Sequence, residues 1–349
     1  MADKMDMLMK QLNKEAKEEI MSKGALQYNY NRIPFTSPMM NYCLYGGLPE
    51  GKLIEFFGVE HGGKTTSALD AVANFQMMEK KKAEEDPKYS ERAAFYVDIE
   101  NSLDGVWATK LGVDLDTMYL LQPKEESAEQ VFNYIEDAIA TGEIGLFVLD
   151  SIAAMVSQDE YEKDYEKKSM AGISGPLSRF AKKVEMLCAK YKCTGIGINQ
   201  VRDDMNSMWG GYKTPGGRAW KHMCSVRLEF RAGKYIDDKG NELTRGAESP
   251  AGMIVQMTMV KNKTCMPDRR LGSYTIRYAT GIDYFADLIE VALRYGIIVK
   301  SGAWFQIYDF EKEEYISEKI QGQNGVYTYL DENEDMLRRV EELIDLKIL

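Results

Sequence analysis

The stretch that most constrains this chain is a glycine-rich turn between an apolar run and a helical segment. The run "KLIEFFG" ends at Gly58, and Gly63, Lys64 and Thr65 complete the pattern GxxxxGK[ST]. Glycines let backbone N–H groups wrap a phosphate chain, the following helix points its positive end at the phosphates, and the lysine reaches the terminal ones. The sequence therefore predicts a phosphate-binding loop. Its expected nucleotide-binding residues are Gly58, Glu60, Gly62, Gly63, Lys64, Thr65 and Thr66.

Carboxylates follow two other apolar runs that have the character of buried strands. Asp150 ends "GLFVLD", where it could hold Mg²⁺ through water while the Thr65 hydroxyl binds the same ion directly. Asp98 and Glu100 of "AAFYVDIENSLD" share one face because side chains alternate along a strand. We expect Glu100, at the strand tip, to orient the water that attacks the nucleotide, and Asp98, deeper, to be structural.

The order of apolar runs predicts an α/β fold. From Arg32 onward, short apolar runs alternate with helix-length periodic segments, which is typical of a largely parallel sheet covered on both faces. We expect three parts: an N-terminal helix and linker for subunit packing (1–31), the core (32–283) and a small α+β domain (284–349) that ends in a helix from Asp331 to Leu346. The charged segment from Met77 to Arg92 is interpreted as a solvated loop.

The N-terminal segment has an apolar stripe at helical spacing from Met5 to Ile20, and Gly24 is the predicted stop. The stripe is equally compatible with packing on its own domain and with packing on a neighbouring copy of the chain. The sequence alone favours neither.

Composition limits the possible partners. The chain has 55 Asp and Glu against 44 Lys and Arg, a net charge of −11, so it is not a basic nucleic-acid coat and any polyanion site must be local. The five cysteines are scattered without a CxxC pair, which indicates reduced thiols in a cytosolic protein rather than a zinc site. No apolar run approaches the length of a membrane span, so we expect no membrane association.

The blocks "GVEHGGKTT", "YVDIENSLDGVWATKLGVD", "VLDSIAAM", "INQVR", "TPGGRAWKH" and "VKNK" occur in the order found in the RecA recombinase family. The chain resembles that family from about Arg32 to Asp283 and more loosely beyond, and the segment before the phosphate loop resembles phage-encoded members. The resemblance implies a RecA-type P-loop ATPase core with a mostly parallel central sheet, an N-terminal helix and a small C-terminal α+β domain.

The resemblance also implies roles for individual residues. Glu100 matches the carboxylate that activates water, and Gln200 of "INQVR" matches the group that senses the γ-phosphate. Asp104, Trp107 and Tyr278 match positions that contact the adenine. Lys261 and Lys263 of "VKNK" match lysines that reach the ATP of the neighbouring subunit. The predicted catalytic set is Glu100, Lys64, Gln200, Lys261 and Lys263.

Taken by itself, the segment after Gln200 would be a mobile loop that packs its own Trp against the core, whereas the resemblance implies a mobile DNA-binding loop. From Arg202 to Arg227 it contains five Lys or Arg and two Asp, net +3, together with glycines and unperiodic Met and Trp. Cations bind phosphates and flat or apolar side chains stack on bases, which single-stranded DNA requires. The first loop, Ser157 to Arg179, is rich in Asp, Glu and Tyr and carries Pro176 near the position of the expected cation. With Arg179 of that loop, the predicted DNA-binding residues are Arg202, Met205, Met208, Trp209, Gly216, Gly217, Arg218 and Arg179.

The resemblance implies an ATP-dependent DNA recombinase that uses ATP and Mg²⁺. Such a protein forms head-to-tail helical filaments on single-stranded DNA, pairs that strand with homologous duplex DNA, and works in a bacterial or phage-infected host cytoplasm. Two alternatives stay open. A ring-forming RecA-fold helicase or translocase would share the phosphate loop, Asp150 and Gln200, and a nucleotide-gated scaffold would have no role on DNA.

Overall fold

The computed structural model describes residues 2–17, 20–22, 30–162, 172–203, 212–244 and 246–348. The chain divides into two units, residues 1–31 and 32–349. The first contains helix α1 (Ala2–Ala16), after which the Asn13 side chain accepts hydrogen bonds from the backbone of Ile20 and Met21. The helix therefore ends before Ile20, and the predicted stop at Gly24 lies outside the described residues.

Ten α-helices lie in the described part of the second unit, and two 3₁₀ turns accompany them at Leu115–Thr117 and Ile152–Ala154. The helices are α2 (Pro38–Leu44), α3 (Lys64–Glu85), α4 (Gly105–Lys110), α5 (Ala128–Ala140), α6 (Gln158–Tyr161), α7 (Ser174–Tyr191), α8 (Gly217–Met223), α9 (Tyr284–Arg294), α10 (Gly322–Glu332) and α11 (Glu334–Ile348).

The strands of the described residues form one large sheet, one small sheet and two short pairs. They are β1 (Arg32–Ile33), β2 (Leu48–Pro49), β3 (Leu53–Gly58), β4 (Ala93–Asp98), β5 (Met118–Leu121), β6 (Ile144–Asp150), β7 (Thr194–Gln200), β8 (Arg202–Asp203), β9 (Tyr212–Lys213), β10 (Val226–Ile236), β11 (Glu242–Leu243), β12 (Gly252–Asn262), β13 (Leu271–Arg277), β14 (Gly281–Ile282), β15 (Ile298–Ser301), β16 (Trp304–Asp309), β17 (Glu314–Tyr315) and β18 (Ile320–Gln321).

The large sheet has the strand order β14-β13-β12-β10-β3-β7-β6-β4-β5, with β11 paired to β10. The six strands from β10 to β5 run parallel, and β12, β13 and β14 continue the sheet antiparallel. This arrangement confirms the predicted α/β fold with a mostly parallel central sheet. It also brings the carboxyl ends of β3, β4, β6 and β7 to one edge, where ligands bind in sheets of this type.

Hydrophobic clusters cover both faces of the large sheet. Alternate side chains of β3 point to opposite faces, so Ile54 and Phe56 pack with the buried residues of α3 while Leu53 packs with those of α5 and α7. All three side chains are fully buried. Each such side chain contributes roughly 1.5–3 kcal/mol relative to exposure, which fixes the sheet on which the site is built.

Two predicted boundaries were wrong. Helix α3 continues to Glu85, so residues 77–85 are not a solvated loop; Glu79 is buried there and accepts hydrogen bonds from Arg92 and Lys82. The predicted last helix is preceded by a separate helix, α10, and Asn333 lies between α10 and α11.

The C-terminal part contains α9, the sheet of β15, β16, β17 and β18, and helices α10 and α11. Its buried residues belong to the same cluster as Ile54 and Phe56 of the large sheet, and Ser37 donates a short hydrogen bond to buried Asp287 of α9. Residues 32–349 thus form one compact unit. The predicted boundary between 283 and 284 stays a prediction. Among the described helices, none is both long enough and apolar enough to cross a membrane.

Candidate functional site

The phosphate loop joins β3 to α3 at the carboxyl edge of the large sheet. Gly58 has φ +150°, and a Cβ atom there would lie 2.0 Å from the carbonyl oxygen of Phe230, so the position requires glycine. Gly63 begins the turn into α3 with φ +88°. The loop is therefore shaped by backbone conformations that side chains oppose.

Lys64 lies at the start of α3 and folds back along the loop. Its Nζ donates to the carbonyl oxygens of Gly58 and Val59, at 3.2 and 2.6 Å. Burial lowers the pKa of this amine, and the nearby carboxylates of Asp150 and Glu100 oppose the change. A cation kept at the mouth of a phosphate loop is ready to exchange carbonyl oxygens for phosphate oxygens.

Thr65 and Asp150 meet although 85 residues separate them: Thr65 Oγ1 donates to Asp150 Oδ2 at 2.8 Å. Tyr96 donates to the same oxygen at 2.9 Å. Burial raises the pKa of Asp150, and these two hydroxyls oppose the rise. Tyr96 was not predicted, because an aromatic residue inside an apolar strand gives no sign of such a role.

These oxygens suit Mg²⁺, which binds proteins through one or two carboxylates or hydroxyls and completes its shell with phosphates and water. Among the described residues, no group of three or more His, Cys, Asp or Glu side chains forms a metal cluster. The donor set Thr65–Asp150 fits an ion that arrives with a nucleotide rather than one held by protein alone.

Glu100 is exposed beyond the end of β4 and accepts from two groups. Ser151 Oγ donates to its Oε1 at 2.5 Å, and Gln200 Nε2 donates to the same oxygen at 3.3 Å. Ser151 was not predicted, although it directly follows Asp150. The exposed carboxylate is thereby held between the ends of β6 and β7.

Asp98 has a different environment from Glu100. It is buried, and it accepts from the backbone N–H groups of Ser102 and Leu103 and from the side chain of Gln122 at 3.0–3.1 Å. With its acceptor sites used to fix the turn after β4, Asp98 is a structural group.

A cavity of about 360 Å³ lies beside the phosphate loop. Its lining residues are His61, Gly62, Gly63, Lys64, Thr65, Thr66, Ala232, Tyr235, Met253 and Tyr278. A larger cavity of about 590 Å³ opens between α3 and β5 but contains none of the phosphate-loop residues, so size alone does not identify the site. Tyr235 and Met253 come from β10 and β12 and were not predicted, since their sequence context is that of ordinary strands.

The other predicted adenine contacts lie near α3 and α4. Trp107 is partly buried, and its Nε1 donates to Thr66 Oγ1 at 3.3 Å. Asp104 caps the N-terminus of α4 by accepting from the backbone of Val106 and Trp107. Neither Asp104 nor Trp107 lines the 360 Å³ cavity.

Lys261 and Lys263, at the end of β12, are not near the phosphate loop of their own chain. Lys261 Nζ donates to the carbonyl oxygens of Lys221 and His222, at 2.7 and 3.0 Å, and Lys263 Nζ donates to that of His222 at 3.2 Å. Both amines therefore bind the C-terminal end of α8, where helix carbonyls lack partners and the helix dipole is negative.

The predicted second DNA-binding loop begins directly after Gln200. Arg202 is exposed on β8, which pairs with β9, and Met205, Met208 and Trp209 lie outside the described residues. Gly216 and Gly217 have φ of +94° and +76°, and exposed Arg218 follows on α8.

The predicted first loop is described only in part, because residues 163–171 are not described. Arg179 lies exposed on α7. Lys183, one turn further along, forms an ion pair with Glu136 at 3.0 Å, so Arg179 is the more available cation of the two.

Comparison with known proteins matches nearly the whole chain. Residues 3–283 match the RecA N-terminal domain family and residues 286–349 the RecA C-terminal domain family. The chain is 33% identical over 344 residues to Protein RecA of Bacillus subtilis (strain 168), and the matched region covers 97% of this chain and 90% of the relative. It is 35% identical over 298 residues to Protein RecA of Mesoplasma florum, covering 85% and 80%.

Proposed function

The chain belongs to the RecA family and is thus a RecA-type recombinase and DNA-dependent ATPase. On this basis we propose a role for each group of its predicted site residues. The protein polymerises head to tail on single-stranded DNA and pairs that strand with a homologous duplex. Hydrolysis of ATP between subunits resets the filament, because ATP binds one assembly state more strongly than the other. The work takes place in a bacterial or phage-infected host cytoplasm.

The observation that carries this proposal is the contact between Gln200 and Glu100. Gln200 ends β7 beside the carboxylate, and Arg202, the first cation of the basic loop, follows two residues later. A conformational change in the loop can therefore alter the hydrogen bond to the carboxylate of Glu100 through the end of β7. A ring helicase would share the phosphate loop, but the basic loop that leads into α8 and the matched C-terminal family favour the recombinase.

At the nucleotide, Lys64 would neutralise the terminal phosphates and Thr65 and Asp150 would hold Mg²⁺. The ion supplies charge neutralisation on the phosphate oxygens when bound. Glu100 would orient and deprotonate the attacking water, with Ser151 and Gln200 fixing its carboxylate. Tyr278 and Trp107 would offer flat surfaces to the adenine, with Asp104 fixing α4 beside them.

At the DNA, cations of the second loop would bind phosphates, while its glycines let backbone N–H groups approach the strand. The proposed contacts are Arg202, Met205, Met208, Trp209, Gly216, Gly217, Arg218 and, from the first loop, Arg179. Of these residues, the exposed cations Arg179, Arg202 and Arg218 would form a local basic surface on an otherwise acidic chain.

Between subunits, Lys261 and Lys263 would reach the ATP of the neighbour. An interface in which one face binds a different face of the next copy produces an open helix rather than a closed dimer. Helix α1 and its linker, residues 1–31, would add to that subunit contact.

The proposal is tested by measuring ATP turnover with and without single-stranded DNA across salt concentrations, and by negative-stain imaging with a slowly hydrolysed ATP analogue. We expect turnover stimulated by DNA at low salt and extended filaments on DNA. Closed rings would identify a helicase or translocase, and salt-independent turnover without stimulation would identify a nucleotide-gated scaffold. Lys64→Ala protein is the control for contaminating ATPases.

A further inference from the structure

Tyr96 of β4 brings a hydroxyl to the proposed magnesium site from inside the core. Its side chain is 1% exposed, and its ring belongs to the hydrophobic cluster that contains Ala68 and Val72 of α3. Its Oη donates to Asp150 Oδ2 at 2.9 Å. A buried hydroxyl is costly unless it forms a hydrogen bond. In the described part of the chain, this bond to Asp150 is the only one that the Tyr96 side chain forms.

The position of Tyr96 follows from the register of two parallel strands. Asp98 of β4 lies opposite Asp150 of β6, and Tyr96 lies opposite Val148, two residues earlier. Tyr96 and Asp98 are on the same face of β4 because side chains alternate along a strand. The backbone of Tyr96 is therefore about 7 Å further into the sheet than that of Asp98. Tyr96 thus supports Asp150 from the interior of the sheet and leaves the carboxyl edge to a nucleotide.

The two oxygens of the Asp150 carboxylate have different surroundings. Oδ2 accepts from Thr65 Oγ1, at 2.8 Å, and from Tyr96 Oη. Among the described residues, no side chain donates a hydrogen bond to Oδ1. Thr65 is itself a proposed ligand of Mg²⁺, so its hydroxyl has to serve both the ion and the carboxylate. The Tyr96 hydroxyl has only the carboxylate to hold.

Asp150 needs two donors because a second carboxylate lies beside it. Its register partner Asp98 is also buried, and Asp98 accepts hydrogen bonds from the turn after β4. Two buried carboxylates on adjacent strands repel each other. The terminal torsion angle of an Asp side chain has broad minima, so a carboxylate held by one donor can rotate. A second donor on the same oxygen restricts that rotation.

We infer that Tyr96 is a positioning residue that makes the nucleotide site selective for Mg²⁺. Its hydroxyl fixes the carboxylate of Asp150 and leaves Oδ1 available to a water ligand of the ion. Mg²⁺ demands nearly ideal octahedral geometry, whereas Ca²⁺ accepts larger and less regular ligand shells. A fixed carboxylate therefore benefits Mg²⁺ more than Ca²⁺. The inference rests on the proposed roles of Thr65 and Asp150 and adds the group that orients the carboxylate.

Tyr96→Phe tests the inference, because it removes the hydroxyl and keeps the ring. Wild-type and variant proteins are loaded with ADP and Mn²⁺, bound Mn²⁺ is measured by electron paramagnetic resonance, and Mg²⁺ or Ca²⁺ is added as a competitor. Groups that orient metal ligands typically contribute about 10–100-fold to metal affinity, so we expect the affinity for Mg²⁺ to fall about tenfold or more and that for Ca²⁺ less than about threefold. The affinity for ADP in the presence of EDTA should not change.

Tyr274→Phe is the matched control. Tyr274 is also a buried tyrosine, and its hydroxyl forms a hydrogen bond with Ser67 of α3 rather than with Asp150. The same atom is thus removed from the same hydrophobic cluster, and the affinities for Mg²⁺ and Ca²⁺ should equal those of the wild type.

A second variant and a rescue separate the hydroxyl from the packing of the ring. Tyr96→Met also lacks the hydroxyl, and its flexible side chain fills the space differently, so it should repeat the loss of Mg²⁺ affinity. The ATP turnover of Tyr96→Phe should recover when Mg²⁺ is raised to saturation, which a general loss of packing would not allow.

The wild-type protein separates the two proposals. If it binds no Mn²⁺ in the presence of ADP, the proposed magnesium site itself fails. If it binds the ion and Tyr96→Phe keeps the wild-type affinity for Mg²⁺, the inference alone is overturned. Equal losses of Mg²⁺ and Ca²⁺ affinity in Tyr96→Phe, or the same loss of Mg²⁺ affinity in Tyr274→Phe, also overturn it, because neither result depends on the orientation of Asp150.

Discussion

Gln200 Nε2 donates to Glu100 Oε1 across the ends of β7 and β4, and β6 lies between these two strands. The Ser151 hydroxyl, from the end of β6, binds the same oxygen. Three parallel strand ends thus converge on one carboxylate oxygen. Among the described residues, no side chain donates a hydrogen bond to the other oxygen, which suits a carboxylate that must also bind water.

Glu100→Gln tests the assignment of Glu100 to water activation. The amide keeps a hydrogen bond to Ser151 or Gln200 but cannot take up a proton, so hydrolysis should slow about 10²–10⁴-fold while ATP binding persists. Filaments on DNA should disassemble more slowly in the same proportion. Single-turnover hydrolysis and light scattering measure the two effects, and disassembly at the wild-type rate would contradict the assignment.

Lys64→Ala tests the phosphate loop. In the described part of the chain, the lysine amine donates hydrogen bonds only to carbonyl oxygens of the loop, so the fold should persist while turnover falls at least about a hundredfold. Circular dichroism and steady-state ATPase assays check both. Undiminished turnover would remove this loop from the site.

The lysines at the end of β12 predict complementation between variants. Lys64→Ala subunits cannot use ATP but can supply lysines, and Lys263→Ala subunits have the reverse defect. Each variant alone should be nearly inactive, and an equimolar mixture should recover activity at about one quarter of the interfaces if subunits mix at random. Lysines that act on their own chain's ATP would give no recovery.

The second loop predicts two separable effects on single-stranded DNA binding. Replacing Arg202 and Lys221 by Ala should reduce the salt slope by up to about 0.7 for each lost phosphate contact. Replacing Met205 and Trp209 by Ala should preserve the slope and weaken binding by roughly 1–3 kcal/mol for each lost base contact. Titrations use a fixed strand length and an ATP analogue. If all four substitutions leave the affinity for single-stranded DNA and its salt slope at the wild-type values, DNA does not bind at this loop.

Glu79 predicts a pH dependence of stability. Burial raises its pKa, but hydrogen bonds from Arg92, Tyr89 and Lys82 outweigh burial and lower the pKa from 4.5 to about 2. The ionised form is therefore favoured in the folded state, and its contribution is complete above pH 4.5 and is lost as the pH falls towards 2. The wild type should therefore lose up to about 3 kcal/mol of its free energy of unfolding relative to Glu79→Gln as the pH falls through that window.

Urea unfolding of both proteins between pH 6 and pH 3 measures this difference. It should be constant above pH 4.5. A difference that stays constant down to pH 3 would show that the folded-state pKa of Glu79 is not lowered.

Much of the nucleotide site could be predicted because its chemistry is local in sequence. Lys64 and Thr65 directly follow the glycines, and Asp150 ends an apolar strand, so the parallel sheet brings them to one edge. Tyr235 and Met253 could not be predicted, because nothing in their own segments shows that β10 lies beside β3. Their position depends on strand order, which is a property of the whole sheet.

The errors in the fold have equally physical causes. Helix α10 contains Gly322 and Gly325, which disfavour helix, and it forms because Val326 and Leu330 are buried. The end of α3 was interpreted as a solvated loop from its charges, whereas Lys, Glu and Ala are good helix formers and buried Glu79 forms ion pairs with Lys82 and Arg92. In both cases tertiary contacts determined the secondary structure of a segment whose sequence was ambiguous.

Strand β12 connects two ends of the proposed machinery. Met253 near its start lines the cavity beside the phosphate loop, and Lys261 lies eight residues later near its end. At about 3.3 Å per residue, Lys261 lies roughly 26 Å along the strand from Met253, and under the proposed function this length would separate the chain's own nucleotide from the lysines that reach the ATP of its neighbour. The strand has the same length in every subunit, so it would keep this distance constant along a filament. The repeat distance between successive ATP molecules along a filament would then be set by the count of residues in one β-strand, and a two-residue insertion there would change the pitch of the whole assembly.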